Sequence, residues 1–129
     1  MPEKEPVRTE QAPAPFQGAP YSQAIKAGGL VFVSGQVALT PGTGELLGSG
    51  VAEQTEQVFA NLRAILEASG SGLDRIVKTT VYLSNFDDFQ GMNDVYRRHV
   101  GDVPPARATV EVSKLPSGAL VEIDAVALA

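Results

Sequence analysis

The feature that most constrains the fold is the order in which helical and extended hydrophobic patterns follow one another. Apolar residues recur at helical spacing over residues 49–69 and again from residue 87 or 88 to 99, which predicts two amphipathic helices. Extended segments precede, separate and follow them, so the predicted order is ββ-α-β-α-ββ. Because crossover connections are right-handed, both helices are expected on one face of a single mixed sheet. The sequence therefore predicts a two-layer α+β domain.

Turn signals and alternation locate the strands. Gly28-Gly29 separates two apolar segments and predicts a hairpin, and Gly70 is expected to end the first helix in the left-handed conformation. Residues 76–84 and 120–128 alternate as half-buried strands do. The residues predicted to point toward the helices are Val77, Val81 and Leu83 in the first of these strands and Val121, Ile123, Ala125 and Ala127 in the second.

Residues 104–112 begin with two prolines and then alternate as a further strand. We interpret the side that carries Ala108 and Val110 as the inner one, which places Arg107 and Thr109 on the face away from the helices. A guanidinium there offers a rigid fork of donors suited to a carboxylate. Taken alone, this segment favours a plainer interpretation, in which Arg107 is an ordinary surface residue or pairs with an acidic neighbour such as Glu111 or Asp124.

The sheet face away from the helices is predicted to be mixed in polarity, and this mixture favours an oligomer interface with pockets over an open, solvated face. Its predicted members are Phe32, Ser34, Gln36, Thr80, Tyr82, Arg107, Thr109, Glu122, Val126 and Leu128.

Arg107 and Glu122 lie on segments joined by a short loop. If these strands pair as a hairpin, the arginine can hold a substrate carboxylate while the glutamate holds a water or moves a proton. On spacing alone, a cross-strand ion pair is narrowly favoured. Tyr21 and Ser34 offer hydroxyl groups, although each is more often a packing or turn residue, and Asn93 is as readily a solvated helix residue.

Composition excludes several classes of function. The net charge is −5 and basic residues do not cluster, so no nucleic-acid partner is expected. The chain has no cysteine and a single histidine, His99, so neither thiolate catalysis nor a metal site is predicted. No apolar run approaches a membrane span and the charged start lacks a signal-peptide pattern, so a cytoplasmic protein without membrane contact is expected.

The 129 residues are enough for one domain. Residues 1–15 carry four prolines among charged residues and are predicted to form a loose tail, in which residues 7–9 have the potential to add a short edge strand. Residues 16–129 are predicted to form the single domain.

Several collinear motifs resemble one known family. They are Ala19-Pro20-Tyr21-Ser22-Gln23-Ala24, Val33-Ser34-Gly35-Gln36, Met92-Asn93-Asp94-Val95-Tyr96, Pro105-Ala106-Arg107 and Val121-Glu122-Ile123-Asp124-Ala125. With them, nearly the whole chain resembles the RidA/YjgF/YER057c/UK114 family of reactive-intermediate deaminases. The resemblance implies a chorismate-mutase-like (ferredoxin-like) fold and a homotrimer with pockets between subunits. It also implies cofactor-independent hydrolysis of enamines or imines, such as 2-aminoacrylate, to 2-oxo acids and ammonia.

The resemblance also implies roles for individual residues. Arg107 matches the arginine that binds the substrate carboxylate, and Glu122 matches the acid associated with the hydrolytic water. Thr109 stands where many active members have cysteine, at a position that serves mainly through backbone groups. The remaining matches to pocket-lining positions are Tyr21, Ser34 and Asn93. A non-catalytic module that binds small carboxylates is the main alternative function, and an endoribonuclease is a less favoured one.

Overall fold

The computed structural model describes residues 3–129. These residues form a layer of helices packed on a layer of strands. This arrangement confirms the predicted two-layer α+β architecture and the predicted order of elements, with one short strand added at the start. Neither helix within these residues is long and apolar enough to cross a membrane. The elements are β1 (Glu5–Val7), β2 (Ala24–Ala27), β3 (Leu30–Gln36), α1 (Val51–Ala68), β4 (Ile76–Leu83), α2 (Phe89–His99), β5 (Ala106–Glu111) and β6 (Val121–Leu128).

The six strands form one sheet in the order β1-β2-β3-β6-β4-β5. All neighbours are antiparallel except β4 and β5, which are parallel. The predicted hairpin joins β2 to β3, where Ala27 pairs with Leu30. Both turn residues have positive φ angles, 60° at Gly28 and 79° at Gly29, and a two-residue turn of this kind matches the twist of antiparallel strands.

The core lies between the sheet and the two helices. As predicted, alternate residues of β6 are buried there, and Gly70 follows α1 with a φ of 87°. Helix α1 begins after Gly50, one residue later than expected, and has no side-chain cap. The largest fully buried side chains include Phe59, Leu62, Ile65 and Leu66 of α1, Met92 and Val95 of α2, and Val31, Val81, Leu83, Val121 and Ile123 of the sheet.

The predicted orientation of β5 is wrong. Arg107 pairs with Thr79 and Thr109 pairs with Val81, and both β4 residues are buried beneath the helices. Because directly paired residues point to the same side of a sheet, Arg107 and Thr109 lie on the helix side. Val110 is exposed on the opposite side. The predicted hairpin of this strand with β6 is also wrong, because β4 lies between them.

Two register shifts alter the predicted sheet faces elsewhere. The pairing of β4 with β6 shifts between Ile76 and Lys78. This bulge places Val77 in solvent, 41% exposed, instead of in the core. A second shift in β3 brings Gln36 opposite Ile123, where it is buried instead of lying on the outer face.

The segment predicted as a loose tail is attached to the sheet. Strand β1 pairs with β2, and it lies two residues before the predicted 7–9. The buried Gln23 side chain accepts a hydrogen bond from the Thr9 backbone N–H (2.7 Å) and donates to the carbonyl of Pro13 (2.8 Å). These bonds satisfy a buried amide and fix residues 9–13 over β2. The part of the prediction that concerns residues 1 and 2 lies outside the described residues.

Candidate active site

Three of the predicted site residues, Tyr21, Ser34 and Glu122, line one cavity of about 390 Å³ beside β3 and β6. We call it the Glu122 cavity. Most of its wall is apolar, and its polar side chains are those of the three predicted residues and of Gln36. Its lining residues are Pro13, Ala14, Phe16, Ala19, Tyr21, Ser34, Gly35, Gln36, Val37, Leu39, Pro116 and Glu122.

Hydrogen bonds hold the two hydroxyl side chains of the cavity in place. The Tyr21 hydroxyl accepts from the Phe16 backbone N–H at 2.6 Å, and the Ser34 hydroxyl donates to the Ser22 carbonyl at 2.6 Å. Tyr21 therefore keeps its O–H as a donor, and Ser34 keeps lone pairs as an acceptor. A polar ligand in the cavity thus meets one donor and one acceptor in addition to Glu122.

The Glu122 carboxyl has a perturbed affinity for protons. Burial raises its pKa, and the negative charge of Asp124 on the same strand raises it further. Asp124 itself accepts hydrogen bonds from the Thr80 backbone N–H (3.2 Å) and the Tyr82 hydroxyl (3.1 Å). Glu122 is thus a half-buried carboxyl that holds a proton more readily than an exposed glutamate, which suits a group that transfers protons.

Gly35 allows β3 to pass close to the Glu122 carboxyl. A Cβ atom at this glycine would lie only 2.9 Å from the carboxyl carbon of Glu122, and closer still to one of its oxygens. Any larger residue at this position therefore displaces the carboxylate. The Glu122 carboxyl can lie against β3 at this point because residue 35 has no Cβ atom.

Amide side chains of α1 fix two walls of the Glu122 cavity. Asn61 is fully buried and donates to the carbonyls of Val37 (3.2 Å) and Leu39 (3.0 Å) at the end of β3. Gln54 accepts from the Leu120 backbone N–H at 2.8 Å, just before β6 begins. These bonds tie α1 to the segment that follows β3 and to the one that precedes β6, and they support the cavity from behind.

Arg107 and Asn93, two further predicted residues, lie together in a cleft of about 290 Å³ between α2 and β5. We call it the Arg107 cleft. The guanidinium carbon of Arg107 lies over two rings of α2, 4.8 Å from the Tyr96 centroid and 5.6 Å from the Phe89 centroid. Thr109 follows on the same side of β5 and is half-buried. The remaining lining residues are Tyr96, Arg97, Val100, Gly101 and Pro104.

No carboxylate within residues 3–129 neutralises Arg107. The ion pairs in this part of the chain join Glu56 to Arg98 and His99. The two neighbours considered as partners are engaged elsewhere: Glu111 accepts from the Phe86 backbone N–H at 2.7 Å, and Asp124 lies on the opposite face of the sheet. A half-buried arginine without an acidic partner is suited to an anionic ligand.

The structure thus brings the predicted residues together in two groups instead of one. Glu122, Tyr21 and Ser34 share the outer side of the sheet, whereas Arg107, Asn93 and Thr109 share the helix side. Sequence analysis missed the roles of Gly35, Asn61 and the rings of Phe89 and Tyr96. Both aromatic residues recur at helical spacing in α2, and nothing in this spacing distinguishes a core ring from one that lies against an arginine.

Comparisons with known proteins agree over almost the whole chain. Residues 9–129 match the family described as Endoribonuclease L-PSP. A RutC family protein of Pyrococcus horikoshii is 49% identical over 96% of this chain and 97% of its own. Reactive Intermediate Deaminase A of Arabidopsis thaliana is 46% identical over 96% of this chain and 65% of its own. The crystal structure of RidA from an Antarctic Psychrobacter has 40% identity and a TM-score of 0.91, covering 97% of this chain and 99% of its own. This similarity confirms the chorismate-mutase-like fold that the motifs implied.

Proposed function

Because the chain belongs to the family described as Endoribonuclease L-PSP, which includes reactive intermediate deaminases, we propose that it hydrolyses enamines and imines of 2-oxo acids. The substrate class is the 2-aminoacrylate type, and the products are a 2-oxo acid and ammonia. The observation that carries this proposal is the pair of complementary groups: Arg107 has no acidic partner among the described residues, and the pKa of Glu122 is raised.

Each group has a role that follows from its surroundings. The fork of Arg107 holds the substrate carboxylate and thereby fixes the orientation of the adjacent C=N bond. Glu122, Ser34 and Tyr21 hold the water that attacks this bond. An enamine substrate first becomes the imine, as one proton leaves its nitrogen and one is added to C3. Water then adds its oxygen to the imine carbon, and one water proton reaches the nitrogen by way of the Glu122 carboxyl. The remaining hydroxyl proton passes to the same nitrogen by the same carboxyl. The C–N bond of the resulting carbinolamine then breaks, and ammonia leaves as the 2-oxo acid forms.

The two groups act on one substrate if they come from two subunits. Within one chain, β4 lies between β5 and β6, and the groups lie on opposite faces of the sheet. We propose that the Arg107 cleft of one subunit meets the Glu122 cavity of the next in a closed homotrimer, in which every subunit uses both surfaces. The exposed apolar residues of the outer sheet face, Phe32, Val110 and Leu128, support such an assembly.

The test is ammonia release from freshly generated 2-aminoacrylate, together with calorimetry of a 2-oxo acid. Arg107→Ala is expected to abolish both binding and turnover, and Arg107→Lys is not expected to restore them, because a point charge does not reproduce the two-pronged contact. Glu122→Gln is expected to bind the 2-oxo acid and lose turnover. An Arg107→Ala variant that matches the parent in both assays contradicts the proposal.

These assays and a measurement of RNA binding distinguish the proposed reaction from two other activities. A parent protein that binds 2-oxo acids without releasing ammonia is the non-catalytic carboxylate-binding module. The other activity is cleavage of RNA, which the description of the family as an endoribonuclease suggests. The composition does not support it, because fifteen acidic residues outnumber ten basic ones and binding to RNA phosphates relies on basic residues. RNA binding that weakens steeply with salt, measured by fluorescence anisotropy, is the result that would favour it.

A further inference from the structure

The strongest further feature of the molecule is the pair of aromatic rings that lie against Arg107. We propose that Tyr96 and Phe89 are positioning residues, whose rings hold the Arg107 guanidinium in the orientation that receives the substrate carboxylate. This inference rests on the proposed function and extends it to residues that act through Arg107. We refer to Tyr96, Phe89 and Arg107 together as the arginine clamp.

The distances within the clamp fit an attraction between the two rings and the guanidinium cation. Both rings lie within the distance at which an aromatic face attracts a cation, 4.8 Å for Tyr96 and 5.6 Å for Phe89. A guanidinium that lies over a ring keeps its N–H groups at its edge, where a carboxylate binds. The rings therefore attract the cation through its charge, and the N–H groups that do not face a ring can bind a carboxylate.

Tyr96 is itself held rigidly. It is 5% exposed, and its hydroxyl shares a 2.6 Å hydrogen bond with the hydroxyl of the fully buried Thr79. Phe59 packs its ring edge-on against Tyr96 at 5.5 Å. Thr79 is also the residue of β4 that pairs with Arg107 on β5. The pairing of Thr79 with Arg107 thus positions both the guanidinium group and the Tyr96 ring.

Phe89 is linked to β5 by a second route. Its ring stacks on Phe86 with a centroid distance of 4.9 Å, and the Phe86 backbone N–H donates to the Glu111 carboxylate at 2.7 Å. Glu111 lies on the same side of β5 as Arg107. Both rings of the clamp are therefore tied to the strands that carry or flank the arginine.

The clamp matters because β5 is an edge strand and arginine is a long side chain. A free arginine loses considerable rotamer freedom when it binds a ligand, and this loss weakens binding. An arginine already held by two rings avoids most of that loss. Removing a ring should therefore weaken carboxylate binding even though the charge remains in place.

Three variants test the clamp: Tyr96→Leu removes the ring, Tyr96→Phe keeps it and removes only the hydroxyl, and Val95→Ala is a matched control. Val95 is 1% exposed on the same helix and does not line the Arg107 cleft. Tyr96→Leu is expected to raise the Kd for 2-oxobutanoate and the KM for 2-aminoacrylate by about tenfold, with a smaller change in kcat. Tyr96→Phe is expected to keep both within about threefold of the parent.

The split between KM and kcat distinguishes positioning from mere support of the fold. A variant that only reduces the fraction of folded protein lowers the apparent kcat and leaves KM unchanged, which is the pattern expected for Val95→Ala. Nuclear magnetic resonance of the Arg107 Nε–Hε group gives a readout that needs no ligand. In the parent this signal is expected to show restricted motion and a ring-current shift, both lost in Tyr96→Leu and kept in Tyr96→Phe.

The outcomes separate the clamp from the proposed function. If the parent binds and deaminates while Tyr96→Leu equals it in Kd and KM, the clamp is overturned and the proposed function stands. A Tyr96→Phe variant that keeps the ring-current shift of Arg107 but binds as weakly as Tyr96→Leu also overturns the clamp, because the ring is then in place without effect. If the parent neither binds 2-oxo acids nor releases ammonia, the proposed function fails, and the clamp loses its role whatever the resonance of Arg107 shows.

Discussion

The Glu122 cavity and the Arg107 cleft are built by different means. The arginine stands on a strand and is held by rings of a helix, so regular secondary structure sets its position. The cavity is walled mainly by loops, which amide side chains of α1 hold from behind. A rigid anchor suits the carboxylate that all substrates of the proposed reaction share. Loop walls are easier to vary in sequence than the regular elements that hold the arginine.

Two loops in the wall of the Glu122 cavity contain backbone strain that the Arg107 side lacks among the described residues. Gln17 and Ser117 have φ angles of 53° and 59°, and they are the non-glycine residues with positive φ in this part of the chain. Each lies in a short turn, Phe16–Gly18 or Pro116–Gly118, that contributes to the cavity wall. Strain of this kind persists where surrounding contacts determine the conformation.

Mixing two inactive variants should give the largest change in activity, and it tests whether the Arg107 cleft and the Glu122 cavity form one site. Suppose that one site combines the Arg107 cleft of one subunit with the Glu122 cavity of the next. Co-refolding equal amounts of Arg107→Ala and Glu122→Gln should then restore about a quarter of the parental activity, because roughly one site in four contains both an intact Arg107 and an intact Glu122. Each variant refolded alone is the control. Ammonia release at no more than the level of the separate variants would show that the halves do not meet between subunits.

Gly35→Ala should damage the Glu122 side alone. The added Cβ displaces the Glu122 carboxylate, and a displaced catalytic group lowers turnover by on the order of 10- to 100-fold. Binding of 2-oxo acids at Arg107 should change little, as calorimetry can measure. Gly50→Ala is the control, since a Cβ there meets nothing within 4 Å. Equal loss of activity in both variants would contradict the assignment.

The raised pKa of Glu122 predicts a pH dependence of stability. A carboxyl whose folded pKa lies above its unfolded value of 4.5 destabilises the fold when it is ionised, and this cost disappears as pH falls through the raised pKa toward 4.5. Glu122→Gln should therefore be more stable than the parent at pH 7, with the difference shrinking on acidification. Urea unfolding at several pH values measures it. A constant difference between pH 7 and 4.5 would contradict the shift.

Ser117→Gly should have the smallest effect. Glycine adopts the left-handed conformation without steric cost, although it loses more entropy on folding, so the free energy of unfolding should rise by about 0.5–1 kcal/mol. Ser113→Gly, at a residue without a positive φ, should lower stability slightly instead. Chemical denaturation of both variants checks the sign. A loss of stability in Ser117→Gly would show that its hydroxyl outweighs the strain.

Local patterns predicted the elements well because each depends on neighbours in sequence. The turn at Gly28-Gly29, the buried stripe of α1 and the alternation of β6 all follow from residues a few positions apart. The faces of β5 could not be obtained in this way. Alternation defines two sides of a strand without saying which one meets the helices. Here Arg107 takes the helix side because rings receive it there and the pairing with β4 fixes the register.

The sequence predicted which residues belong to the candidate site but not how these residues are arranged in space. Arg107 and Glu122 were placed in one pocket because a short loop joins their segments, but β4 pairs with both β5 and β6 and separates them. Pairing between strands distant in sequence decides this, and no local signal reports it. Gly35 is similar: its contact with Glu122 joins two strands that meet only in the folded sheet.

The position of β6 has a consequence for how the chain acquires its structure during synthesis. Among the described strands it is the last to leave the ribosome, yet it lies between β3 and β4 and joins the two halves of the sheet. Until it emerges, β3 and β4 each present an unpaired inner edge, the kind of surface that promotes aggregation. The sheet can close only after translation has passed residue 128, when Leu128 reaches its partner Leu30.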